Sequence, residues 1–297
     1  MSRCILVSSN CQSGVIASGL RLLFPDSEIL AENQPGSGNA DVVRRFAEVL
    51  RRADVWVRYH DFGSLIADPE ISALCAEKKT VDIPHINFRG FHPDIFSARS
   101  RATGRLITPN DHSGILIWCY RHQIDPGDAA ALFSAEVFSN LGYFSLWDDG
   151  ERWLRGCFDW CGLDFRRFFQ RAKRSGVFMY TAGHPKAHVL MLLAKLVGIK
   201  IGLDDRVFDD DILVNDSFPE LLQWPVYPAV GEYLAVPSSY NWTINRRRLT
   251  GLESFIEFSY ERFAAESESP ADLELIAYGP WAERFDSVLG GKVGAGK

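Results

Sequence analysis

A chain of 297 residues with 32 Lys and Arg against 38 Asp and Glu carries a formal net charge of −6. That balance excludes a protein built to neutralise nucleic-acid phosphate, which needs a dense basic face, so no nucleic-acid partner is expected. With 46% hydrophobic and 24% charged residues the chain has the apolar content for a packed globule. No apolar run approaches the ~20 residues of a membrane span. The run Ile5 to Val7 is too short for a secretory h-region, so the protein is expected in the cytoplasm.

The first elements alternate. Cys4 to Asn10 (CILVSSN) is an apolar run of strand formers, and Gln12-Ser13-Gly14 leads into Val15, Ile16, Leu20 and Leu23 at helical spacing. A second strand is predicted over Ser27 to Leu30 and a Gly/Ser loop over Pro35 to Asn39. Val42, Val43, Phe46, Val49 and Leu50 then mark a helix. Asp54 to Tyr59 and Lys79 to Ile86 read as a third and a fourth strand, with a helix near Pro69 to Glu77 between them. Strands alternating with helices mean βαβ units, right-handed crossovers, and ligands at the carboxyl ends of a parallel, doubly wound sheet.

From about Pro109 to Ser175 the chain is rich in Phe and Trp and reads as helices. Gly176 to Pro185 (GVFMYTAGHP) returns to strand, loop and helix, as a fifth strand. Pro185 suits the first helical position, and Gly198 is placed to close the helix that carries Val189 to Val197. Trp224 to Val230 (WPVYPAV) reads as irregular turns, and Leu252 to Ala265 as an amphipathic helix. The expectation is a single α/β domain over 1–297. Its sheet core is 1–105 and 176–203, a helical insertion covers 106–175, and an irregular and helical C-terminal part covers 204–290. Nothing in the pattern specifies an oligomeric state.

The six cysteines are Cys4, Cys11, Cys75, Cys119, Cys157 and Cys161, scattered as free thiols in a reducing compartment would be. Cys157 and Cys161 share a helix face, but no second Cys pair or nearby His completes a zinc set, so no metal is expected. Cys11 differs, because it falls at the junction of the first strand and first helix. Such a turn presents its side chain at the carboxyl edge of the sheet, as nucleophile elbows do. A helix N-terminus favours an anion and lowers a thiol pKa from ~8.5. The backbone N–H groups around Gln12 and Ser13 are placed to face an oxyanion. The competing reading is a structural cysteine.

A thiol nucleophile needs a base, and seven histidines are available. His184 follows the predicted fifth strand; His92 follows the fourth, with Asp94 two residues on to orient it; His112 sits in a loop. Strand-end placement carries Cys11, His92 and His184 to one sheet edge, and the pair Cys11/His184 is preferred. His188, one turn beyond, reads as solvated.

These segments resemble a known family. SSNCQSG around Cys11 is similar to the Gly-Asn-Cys-Gln signature of the WcbI-type capsular polysaccharide biosynthesis family, with Ser9 where Gly is usual. FRGFHPD and FMYTAGHP resemble its His-Pro-Asp and His-Pro motifs, with Gly183 where Asn is common, and WPVYPAV its Pro-rich block. The resemblance implies coenzyme A or acetyl-CoA as ligand and O-acetylation of a capsule sugar or its precursor. It implies Cys11 and Gln12 in the site, with His92, Asp94 and His184 around it; together with the strand-end placement, Cys11 and His184 are expected to be catalytic, and Asn10, Gln12, Ser13, His92 and Asp94 to bind substrate or oxyanion. Arg89, Lys186 and Arg246 are the candidate cations for coenzyme A phosphates. The motif order is similar to that of SGNH hydrolases, a fold-level analogy. A thiol-dependent esterase or deacylase, and a non-catalytic glycan- or nucleotide-binding protein, stay open beside the acetyltransferase.

Other patterns carry less. Gly291 to Lys297 imitates a P-loop without the Ser/Thr and reads as a flexible tail, and Gly36-Ser37-Gly38 lacks the third glycine of a dinucleotide fingerprint. The acidic cluster Asp204, Asp205, Asp209, Asp210 and Asp211 lacks calcium-loop spacing and reads as a solvated turn.

Overall fold

The first predicted strand is the centre of the architecture. In the computed structural model, which describes residues 3–33, 40–59, 67–216, 218–277 and 279–295, Cys4–Ser9 (β1) is buried along its whole length. The Gly36-Ser37-Gly38 segment lies outside the described residues. β1 pairs in parallel with Glu28–Asn33 (β2) and with Val55–Tyr59 (β3), and β3 with Lys79–Ile83 (β4). The order β2-β1-β3-β4 reverses direction between β1 and β3, the position where α/β sheets of this kind open a crevice. Ser13–Leu23 (α1), Ala40–Arg52 (α2) and Pro69–Glu77 (α3) make the crossovers. α3 starts where its sequence says: Asp68 accepts from the N–H groups of Glu70 and Ile71, and Pro69 takes the first helical position.

Both faces of this sheet are covered, the condition for an all-parallel sheet. Cys4, Leu6 and Trp56 form a core cluster with Phe46, Ala47 and Leu50 of α2 and Ile71 of α3. Alternation turns Ile5 and Val7 to the opposite face, where they too are fully buried.

The chain divides into two compact units. The first comprises Met1–Asn87, Arg152–Phe178 and His184–Asp216; the second comprises Phe88–Glu151, Met179–Gly183 and Ser217–Lys297. The first adds Phe165–Arg174 (α4) and Ala187–Ile201 (α5) to the sheet. α5 is apolar nearly all round and packs on α1, α4 and β4. Its limits differ from expectation. Pro185 is not the first helical residue: Lys186 is the N-cap, because the Asp216 carboxylate accepts the Ala187 N–H at 2.8 Å. Gly198 does not end it either; α5 runs to Ile201 and closes on Gly202 at φ 121°.

In the second unit Ile95–Ser100 is the middle strand of an antiparallel sheet, between Leu273–Ile276 and His112–Ser113. Leu222–Gln223, Asn241–Ile244 and Arg247–Thr250 form another. Met179–Thr181 is therefore not a fifth strand of the parallel sheet; it belongs to this unit, and Tyr180 C=O accepts the Trp224 N–H at 2.8 Å. Aromatic rings fill the interior: Trp242 stacks on Phe255 at 3.9 Å between centroids, and Phe96 meets Trp281 and Phe285 edge-on. Two further expectations change. Pro228 opens the helix Pro228–Leu234 where irregular turns were expected, and Trp281–Ala295 carries helix into the supposed tail.

Candidate active site

The turn after β1 is held from several sides. Asn10 Oδ1 accepts the Gln12 N–H at 3.0 Å, and Asn10 C=O accepts both the Ser13 N–H at 3.1 Å and Ser13 Oγ at 2.9 Å. Ser13 Oγ also reaches Asn33 Oδ1 at the end of β2, at 3.4 Å. Gln12 is buried and its amide bonds both backbone groups of Ile86. Cys11 alone in this turn is turned outward and exposed.

Two expectations about the turn change. The N–H groups of Gln12 and Ser13 are consumed by Asn10 and do not face an incoming oxyanion. Gln12 provides no side-chain cap, which leaves the Gly14 and Val15 N–H groups as the anion donors of the helix start. The helix surface at Gly14 is open, since a Cβ there would meet nothing within 4 Å. The thiol pKa is also reversed in direction: loss of solvent around Cys11 raises it, against a smaller pull from its own backbone N–H.

A second helix start lies at the same end. The Cβ that Gly19 lacks would fall 2.9 Å from both Ala194 Cβ and Met191 Sδ, and Gly198 faces Leu23. Residues 19 and 23 of α1 thus meet residues of α5 in ascending order, so the two helices run parallel. Counting back at about 1.5 Å per residue brings Gln12 level with Lys186. Cys11, Gly14, His184 and Lys186 therefore belong to one end of this helix pair. His184 is half-buried. Lys186 is half-buried too; burial lowers its pKa and Asp216 opposes the shift. His188 lies on the first turn of α5 and is half-buried rather than solvated, its Nε2 buried and its pKa lowered by burial.

The remaining candidates belong to the second unit, and all but Arg246 serve its interior. Asp94 is wholly buried and accepts from Ser113 Oγ, Tyr143 OH (2.7 Å), Tyr227 OH (3.2 Å) and the Ile115 N–H (3.1 Å). Burial raises its pKa to about 6 against those donors. Asp94 does not orient His92, as expected from their spacing; His92 Nε2 lies 3.0 Å from Trp224 C=O. His112 is not in an open loop but buried, with Nε2 3.2 Å from Ile107 C=O and its pKa pushed down to about 4. Arg89 donates to the carbonyls of Pro93 and Ile95 and lies over the rings of Phe96 and Trp281, so its cation is spent inside the fold. Arg246 stands in a tight hairpin turn at φ 65°, exposed beside Glu220.

Sequence reasoning missed Asp216, Tyr143 and Tyr227, whose roles depend on partners far along the chain. Among the described residues no group of three or more His, Cys, Asp or Glu side chains could hold a metal ion, and no helix is long and apolar enough to cross a membrane.

The fold and site define an α/β protein whose parallel sheet offers an exposed thiol at its first strand-to-helix turn. The chain belongs to the WcbI family, for the model of polysaccharide biosynthesis enzyme WcbI matches residues 4–206. That span takes in β1 to β4, the Cys11 turn and α5, and ends before WPVYPAV. A solved structure described as WcbI, a polysaccharide biosynthesis enzyme, native and without a disulfide bond between coenzyme A and a cysteine, aligns with a TM-score of 0.69. It shares 14% identity, over 98% of this chain and 96% of that one, so the likeness is of fold. No curated protein matches the chain.

Proposed function

We propose that the protein is a cytoplasmic, coenzyme A-dependent O-acetyltransferase that acetylates a sugar hydroxyl of a capsular or other surface polysaccharide, or of its precursor. The observation that carries this reading is the exposed Cys11 thiol at the end where α1 and α5 both begin. Family membership supplies the polysaccharide context, and the solved relative's description joins coenzyme A to a cysteine. The residues fit such a ligand: a thioester can approach Cys11 over the open ground at Gly14, and Lys186 and two helix starts suit phosphate.

In this mechanism Cys11 Sγ attacks the acetyl carbonyl. The bond from that carbon to the coenzyme A sulfur breaks, and the leaving thiolate takes the proton that Cys11 gave up through His184. The sugar hydroxyl then attacks the acetyl-cysteine, His184 accepts the hydroxyl proton, and the proton returns to Cys11 as the ester leaves. The raised pKa of Cys11 keeps it a thiol near neutral pH, which is why it needs that base. Calorimetric titration with coenzyme A, followed by acetyl-CoA turnover with and without polysaccharide acceptors, tests the reading. Acceptor-dependent thiol release supports acetyl transfer. Release with water alone points to an esterase, and absence of coenzyme A binding overturns the proposal.

A further inference from the structure

A cavity of about 310 Å³ is built between α4, the outer face of α5 and the segment around Asp210. Into it project Arg171 and Arg174 from α4, and His188 and Lys195 from α5. The two arginines are three residues apart, and His188 and Lys195 seven, so each pair shares a helix face. Phe165, Phe168, Phe169 and Ala172 bury the other face of α4.

These cations are only partly neutralised: Asp210 and Asp211 line the same cavity and, with Asp209, act on Lys195. Lys195 is buried, yet its Nζ meets only the carbonyls of Phe208 and Asp210. Among the described residues Arg171 and Arg174 make no ion pair or side-chain hydrogen bond, although Asp210 and Asp211 line the same cavity. Arg167, on the same helix, shows what a structural pairing looks like here: it binds Asp205 at 2.6 Å and Asp209 at 3.4 Å. His188 adds a buried Nε2 without a partner. Arg171, Arg174 and Lys195 outnumber the carboxylates Asp210 and Asp211 around this volume, and a bound anion would balance the surplus positive charge. Arg171 indeed helps burial to lower the Lys195 pKa, while the nearby aspartates oppose it.

We infer that this cavity is an anion site that takes a phosphate or pyrophosphate group, with Arg171 and Arg174 as its forked donors and Lys195 as its buried charge. Guanidinium forks match phosphate oxygens two at a time, and the volume is at the small end of ligand pockets. The phosphate can belong to coenzyme A, or to a separate ligand. The inference rests on the cavity and stands without the acetyltransferase reading.

The test is calorimetric titration of inorganic pyrophosphate into the full chain, its Arg171→Gln/Arg174→Gln variant and Cys11→Ala. The expected result is saturable binding that weakens at least about tenfold in the double variant and with added salt, and is unchanged in Cys11→Ala. No binding to the unaltered protein, or equal binding by the double variant, overturns it. Circular dichroism confirms the fold of the double variant, whose replaced side chains lie at the surface end of α4. Coenzyme A displacing pyrophosphate, with its own affinity reduced in the double variant, assigns the phosphate to coenzyme A. Simultaneous binding of both assigns it to a separate ligand. If coenzyme A fails to protect Cys11 while pyrophosphate still binds, the acetyltransferase reading falls and the anion site remains.

Discussion

Gln12 and Ile86 exchange a pair of hydrogen bonds: Gln12 Nε2 donates to Ile86 C=O at 3.0 Å, and the Ile86 N–H donates to Gln12 Oε1 at 3.3 Å. A side-chain amide here imitates one rung of a β-ladder, just beyond the last residue of β4. It ties the Cys11 turn to the chain leaving the far strand of the sheet, so the thiol's height over the sheet edge is set by a neighbour in sequence. Gln12→Ala leaves both Ile86 backbone groups buried and unpaired. The expected loss is about 2–4 kcal/mol of stability, seen by chemical denaturation as a lower midpoint with unchanged slope. Stability within a few tenths of a kcal/mol of the unaltered protein would show that water replaces the amide.

Cys11 is exposed, whereas Cys4, Cys119 and Cys157 are buried and Cys75 and Cys161 half-buried. Iodoacetamide followed by peptide mass spectrometry should modify Cys11 first. The rate should keep climbing as pH approaches the ordinary thiol value of 9.0, because burial raises this pKa rather than lowering it. A rate already at its plateau near pH 7 would contradict the direction of the shift. Coenzyme A should slow the reaction.

Asp94 gives the second unit a definite pH dependence. Its carboxyl is raised from 3.8 to about 6 on folding, so folding takes up a proton between those values. The stability it contributes is fully present below 3.8 and is lost as pH rises through about 6. The difference amounts to roughly 3 kcal/mol. Asp94→Asn cannot ionise and should flatten the fall in stability between pH 4 and 7, measured by urea unfolding across that range. An identical slope in both proteins would place the titration elsewhere.

Two glycines of α1 should respond in opposite ways. Gly19→Ala puts a methyl 2.9 Å from Ala194 Cβ, wedging α1 from α5 at an expected cost of about 1–3 kcal/mol. Gly14→Ala meets nothing within 4 Å and should hold or gain stability, about 0.5–1 kcal/mol, as helix propensity favours Ala. The same methyl would occupy open ground three residues from Cys11, so coenzyme A should bind Gly14→Ala more weakly despite its stability. Thermal melts and calorimetry of the two variants separate packing from access.

The strands and crossovers of the parallel sheet were legible because each is a local pattern: an apolar run, a helical period, a proline at the start of the helix from Pro69. Cys11 was legible as the residue in the first turn. Its hydrogen bonding was half legible, since Asn10 two residues before Gln12 is an Asx-turn signal that competes for the oxyanion donors. What failed depends on distance. Ile95–Ser100 becomes a strand because Leu273–Ile276 and His112–Ser113 pair with it from further along the chain, and no local period reports that. The spacing of His92 and Asp94 suggested a dyad, but Ser113, Tyr143 and Tyr227 claim the carboxylate from afar. Asp216 moved the start of α5 two residues past Pro185 by capping Ala187 from outside the motif.

The choice of base follows from the same contrast. His92 is buried, with Nε2 3.0 Å from the Trp224 carbonyl and no carboxylate from Asp94 to orient it. His184 is half-buried, three residues ahead of α5, at the end of the helix pair where Cys11 is exposed. His184→Ala should therefore lower acetyl transfer by about 10²–10⁴-fold, the range of a lost general acid–base group, while coenzyme A affinity stays within a few-fold. His92→Ala should act the other way round. It leaves the Trp224 carbonyl unpaired inside the second unit and should cost about 1–3 kcal/mol of stability, with turnover per folded molecule nearly kept. Single-turnover assays and denaturation curves on both variants separate these outcomes. A stable, fully active His184→Ala protein beside a folded but inactive His92→Ala protein would transfer the role of base to His92.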